Sequence, residues 1–174
     1  MKKILIPALI AAAWWAGLAG PAGASAQMVT AQDPQTIRAL LDRWGFRPDA
    51  ITMAATTPVV GVTIDGLNTT IGFGGCTDGR ACTYLVLVNT YTDVPNPPMD
   101  WINAVNVEYD NITVVRGEDG LLGVRASIVL GARGIHQDTL REILTGWAAA
   151  NAEIADRAIA SNLVTQTPAA GPQI

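Results

Sequence analysis

The chain has 174 residues, with 11 Lys and Arg against 15 Asp and Glu, a formal net charge of −4 and an apolar content of 49%. Without residues 1–26, which hold Lys2 and Lys3, it carries no lysine at all and a net charge of −6 over 148 residues. Such a chain lacks the basic patch that nucleic acid or an anionic membrane surface needs, and its length is that of one domain.

Lys2-Lys3, the apolar run Ile4 to Leu18, and Ala24-Ser25-Ala26 before Gln27 form the three parts of a secretory signal peptide, 1–26, cut after Ala26. Pro7, Gly17, Gly20 and Pro21 interrupt the run, which falls short of the roughly 20 apolar residues that a span requires. The expectation is a periplasmic protein with no stable membrane insertion after cleavage, a single domain over 27–162, and a disordered tail over 163–174.

Asp33-Pro34 opens the first helix, since Asp33 can cap free amides while Pro34 takes the first position, where its missing N–H is no loss. Ile37, Leu40, Leu41 and Trp44 follow at helical spacing, and Gly45 ends it. From Ala50 to Tyr91 the period becomes two. Val60, Val62 and Ile64 lead into an Asp65-Gly66 hairpin turn, and Leu67, Thr69, Ile71 and Phe73 return from it. Thr83 to Asn89 is apolar on both parities, which predicts a central strand covered on both faces.

Cys76 and Cys82 bracket a turn between two of these strands. A redox pair is usually the tighter Cys-x-x-Cys and a metal needs further ligands, so an exported chain points to a structural disulfide.

Asp93-Val94-Pro95-Asn96-Pro97-Pro98 is a stiff connector. The next helix, Trp101 to Asn106, puts Ile102, Val105, Asn106 and Tyr109 on one face, with Trp101 on its flank. An amide inside an apolar stripe must find partners, so Asn103 and Asn106 are expected to bond backbone at the adjacent sheet. A hairpin follows, with Ile112 and Val114, the Gly117-Glu118-Asp119-Gly120 turn, and Leu122 to Leu130. The last helix runs from about His136 to Ala160. Its stripe is Leu140, Ile143, Leu144, Trp147 and Ile154, with Glu153 and Arg157 as an outward i, i+4 pair, and Gly146 suggests a close backbone approach.

Chemistry is sparsely represented. His136 is the only histidine, and a triad with Ser127 and Asp138 lacks the strand-to-helix turn that presents a serine nucleophile. Asp65, Asp78 and Asp119 each precede glycine as turn residues do, without the spacing of a calcium loop. No catalytic residue, cofactor or metal site is expected.

The residues Trp101-Ile102-Asn103-Ala104-Val105-Asn106, Glu118-Asp119-Gly120-Leu121-Leu122, Gly134-Ile135 and a final helix with Leu140, Leu144 and Trp147 resemble the YbjN family of bacterial sensory transduction regulators, over about Asp33 to Ile159. The resemblance implies an α+β fold like the type III secretion chaperones: a mainly antiparallel twisted sheet of five or six strands flanked by helices, in the order helix, meander, helix, two strands, helix. It implies a frequently dimeric protein without known catalytic residues. The functional expectation is a non-enzymatic interaction protein, chaperone-like or accessory to envelope stress or sensory regulation, with Trp101, Asn103, Asn106 and Trp147 as structural or partner-binding candidates. The alternative is a small-molecule pocket near Trp101, Asn103, Asn106 and Tyr109.

Overall fold

The computed structural model describes residues 27–165. The segment expected as a signal peptide, 1–26, and residues 166–174 of the expected tail therefore lie outside the described residues. In chain order the elements are β1 (Met28–Val29), α1 (Pro34–Arg43), β2 (Arg47–Pro48), β3 (Thr52–Ala54), β4 (Thr57–Ile64), β5 (Leu67–Gly74), β6 (Tyr84–Pro95), α2 (Met99–Asn106), β7 (Thr113–Arg116), β8 (Leu121–Val129), β9 (Ile135–His136) and α3 (Gln137–Ala160). The class is α+β, as expected.

Local chemistry accounts for the element ends. The Asp33 side chain accepts the Gln35 amide at 3.1 Å, Pro34 takes the first turn, and Gly45 leaves α1 at a φ of +84°. Asp65 and Gly66 both have positive φ, as a two-residue hairpin between right-twisted strands requires.

The main sheet is antiparallel, with seven strands in the order β2-β4-β5-β6-β8-β7 and β3 also paired to β4. β1 and β9 form a small second sheet. The count exceeds the expected five or six because β2 and β3 pair with different stretches of β4, and pieces of two or three residues show no legible alternation.

All three helices serve one face. Val60, Ile71, Leu85, Leu87, Val124 and Ile128 point inward on that face and are buried. α3 lies across them with Leu140, Leu144, Trp147, Asn151, Ile154 and Ala158 as its buried stripe. Ile143, expected in that stripe, is instead exposed, because 151 and 158 continue the 144 to 147 spacing and turn 143 outward.

Residues 163–165, expected to belong to a disordered tail, are instead attached to the domain. Leu163 and Val164 pack against the core, the Leu163 amide donates to Ala158, and Thr165 donates to the Asp93 carbonyl from both its amide and its hydroxyl. Asp93 lies in the stretch where the β6 register shifts between Tyr91 and Pro95, outside the regular ladder with β8.

Candidate interaction surface

The sequence-derived site residues divide into fasteners and bystanders. Asn106 does what its place in an apolar stripe demands. Its Nδ2 donates to the Val114 carbonyl at 2.9 Å and its Oδ1 accepts the Val114 amide at 2.7 Å. Asn103 does not share that role: it is exposed, and its side chain makes no hydrogen bond among the described residues. One helical position separates the buried Ile102 from Asn103, and the rotation of about 100° per residue is enough to turn it to solvent.

Trp101 is half-buried and donates its indole N–H to Ser161 Oγ at 3.1 Å, which ties α2 to the end of α3. Trp147 is buried and donates to Thr69 Oγ1 at 2.9 Å on the inner sheet face. Tyr109 donates its hydroxyl to Glu153 at 3.0 Å. Arg157 pairs with both carboxylate oxygens of Glu108 rather than with Glu153. The Arg157 contact draws the Glu108 carboxyl below its ordinary range, while desolvation, followed by Glu153, lifts the Tyr109 phenol.

The structure does not gather Trp101, Asn103, Asn106 and Tyr109 around a common pocket. Of the four only Trp101 lines the shallow cavity of about 330 Å3 beside Ala104, Glu108, Arg157 and Ser161. The Asn106 amide is fully engaged with backbone.

Asn151 is the polar residue that the sequence reading missed. It is wholly buried, its Oδ1 accepts from Asn89 and Tyr91 at 3.2 Å each, its Nδ2 donates to the Trp147 carbonyl at 2.9 Å, and its own carbonyl accepts the Tyr91 hydroxyl at 2.8 Å. Its position four residues after Trp147 in the apolar stripe is the signal that would have found it. Burial of the phenol pushes Tyr91 up to about 12.

Cys76 and Cys82 are bonded to each other. Between them, Thr77 and Arg80 exchange backbone bonds of 2.7 and 2.9 Å around Asp78-Gly79, and the Ala81 amide ties the loop to Gln32. His136 caps α3 through Nδ1, which accepts the Asp138 amide at 3.2 Å and lies 3.4 Å from the Asp138 carboxylate. Ser127 sits at the edge of β8, with no side-chain bond to His136.

What remains is the opposite, outer face of the sheet. The register places Val59, Gly72, Val86 and Ser127 in one row and Gly61, Thr70, Val88, Arg125 and Thr113 in the next. The valines in these rows are half-exposed, although the apolar double parity of Thr83 to Asn89 predicts cover on both sides. The side chains by which Trp147 and Asn151 anchor α3 reach the inner face only. On the outer parity of the seven strands the charged residues are Arg47 and Arg125, and the Asp49 carboxylate lies beside them over Gly61. A shallow groove of about 510 Å3 crosses this face between Val88, Val115, Gly123 and Arg125, with Glu118 and Asp119 at its turn end.

Small residues keep the surface flat. A Cβ at Gly74 would overlap the Tyr84 ring, which lies across it, and one at Gly61 would meet the Asp49 carboxylate. Among the described residues no three or more His, Cys, Asp or Glu stand close enough to hold a metal, and no helix is long and apolar enough to cross a membrane.

The sequence model of the YbjN family, described as "Putative bacterial sensory transduction regulator", matches residues 33–160. Among solved structures, the crystal structure of YbjN from E. coli, titled "a putative transcription regulator", aligns with a TM-score of 0.55 at 14% identity, covering 80% of this chain and 100% of that one. A search of curated proteins finds no match.

Proposed function

This chain belongs to the YbjN family, and from that premise we propose that it acts outside the cytoplasm as a non-catalytic protein-interaction module, chaperone-like or accessory to envelope stress and sensory regulation. The observation that carries this reading is the uncovered outer face of the sheet. Contiguous Val, Thr and Gly with no helix above them form a surface of the kind that soluble chains usually bury against a partner. The side chains that chemistry could have used are engaged in fastening α2 and α3 to the inner face. The Cys76–Cys82 bond supports an oxidising compartment, as does the leader-like N-terminus.

The test is co-purification after crosslinking in the periplasm of the host, with wild-type chain and a Val86→Asp, Val88→Asp variant. These side chains stand on the outer face, so the variant should keep its fold while placing two carboxylates where the partner sits. A defined partner recovered with wild type and lost with the variant is the expected result. Equal recovery with both, or none across growth conditions, would oppose the proposal.

A further inference from the structure

β7 leaves β8 early. Its ladder runs from Arg116 opposite Leu122 to Thr113 opposite Arg125. Continued in the same register it would set Asn111 against Ser127, but 111 and 112 lie outside the strand, and a slot opens between them and the β8 stretch Ala126 to Val129.

The backbone lends polar groups to this slot. Successive residues of an antiparallel strand turn N–H and C=O to opposite sides. Val114 turns its pair toward Asn106, so its partner Val124, and with it the even-numbered residues of β8, bond to β6. Ser127 and Val129 therefore turn theirs into the slot, unbonded among the described residues.

The slot joins two cavities of unlike character. The inner one, about 430 Å3, lies between sheet and α3 and is lined by Leu87, Ile112, Ile128, Ile143 and Trp147. Gly146 adjoins it in mid-helix, with nothing of its own chain within 4 Å of where a Cβ would stand, so the close approach expected at this glycine is not made by the chain and the missing side chain leaves room instead. The outer one, about 410 Å3, holds Asp110, Thr113 and Arg125. Neither Asp110 nor Arg125 is paired with an opposite charge among the described residues. Asn111, Ala126 and Ser127 line both cavities, and each volume is within the roughly 300–1,000 Å3 of small-molecule sites.

We propose that the slot binds a single-chain phospholipid with a phosphoethanolamine head. The acyl chain passes between Asn111 and Ser127 into the inner cavity, where it removes the apolar surface of Ile128 and Trp147 from water. The head fills the outer cavity, its phosphate accepting from Arg125 and from the vacant Ser127 N–H while its ammonium meets the Asp110 carboxylate. The charges present select this head. A fatty-acid anion would satisfy Arg125 but stand against Asp110, and a neutral glyceride would leave both without a partner. The site makes no use of Val86 or Val88, so its failure leaves the protein-partner reading of the sheet face intact.

The test is calorimetric titration of the chain purified from its host with three probes that share one acyl chain, each below its micelle concentration: myristoyl lysophosphatidylethanolamine, myristate and monomyristin. Saturable binding is expected, with the phospholipid roughly fivefold or more tighter than either of the others. Arg125→Gln should remove its advantage over monomyristin, and Asp110→Asn its advantage over myristate. Gly146→Leu, whose helix gains propensity while its side chain enters the cavity, should weaken all three probes roughly tenfold or more. Circular dichroism checks that each variant is folded, and the two solvent-side variants decide the matter should Gly146→Leu not fold. No saturable binding, equal affinity for the three probes, a folded Gly146→Leu that binds like wild type, or binding lost as protein concentration rises, as a second copy closing the slot would give, overturns the inference.

Discussion

Asn106 grips Val114 by both of its backbone groups, at 2.7 and 2.9 Å, and so stands in for the neighbour that the edge strand lacks. The bond pair joins the end of α2 to the edge of the sheet and closes that edge to further pairing. Asn106→Ala is expected to cost about 2–3 kcal/mol, since both hydrogen bonds vanish and two half-buried backbone groups lose their partners. Asn103→Ala, one helical position from Ile102 and without a side-chain bond, should stay within about 0.5 kcal/mol. Urea unfolding of the two variants side by side measures the contrast.

Asn151 ties α3 to β6 through Asn89 and Tyr91. Asn151→Leu removes the Oδ1 acceptor of the Asn89 amide and the Nδ2 donor to the Trp147 carbonyl, while the Tyr91 hydroxyl keeps its bond to the main-chain carbonyl of residue 151. A loss of about 1–3 kcal/mol is expected, read as a drop in the denaturation midpoint.

The same network makes stability sensitive to alkali. Tyr91 ionises near 12 in the fold against 10.0 when free, so the native state holds the proton more tightly than the unfolded chain. The contribution is complete below pH 10 and is lost as the pH rises toward 12. At a half-buried ring, solvent screening reduces it to about 1–2 kcal/mol. Unfolding free energies measured across that window should fall for wild type, and Tyr91→Phe should remove the part of the slope due to this group.

Reduction of Cys76–Cys82 releases a short loop whose turn is also held by Thr77 and Arg80. The chain-entropy account gives about 2 kcal/mol for so short a closure. Unfolding with and without reductant should differ by that amount, while the native circular dichroism spectrum stays unchanged.

Much of the fold could be read from the sequence because local rules and burial agree. Asp33 and Pro34 open α1, Asp65-Gly66 turns a hairpin, and alternating valines and isoleucines give the meander. The short strands β2 and β3 escaped because two or three residues carry no period, and Asn151 escaped because an amide in a long helix looks like a surface residue until its spacing from Trp147 is counted. The open sheet face was hardest to see. Apolar residues on both parities of β6 signal two covered faces, and only coordinates distinguish a face covered by the chain's own helices from one left open.

The most direct measurement places a photoactivatable side chain at Val88, on the open face, and in parallel at Glu142, on the solvent side of α3, within the full chain in living cells. A discrete adduct from Val88 that is absent from Glu142 is the expected outcome. Adducts of the same mass from both positions, or from Glu142 alone, would contradict the assignment of the sheet face as the surface that meets a partner.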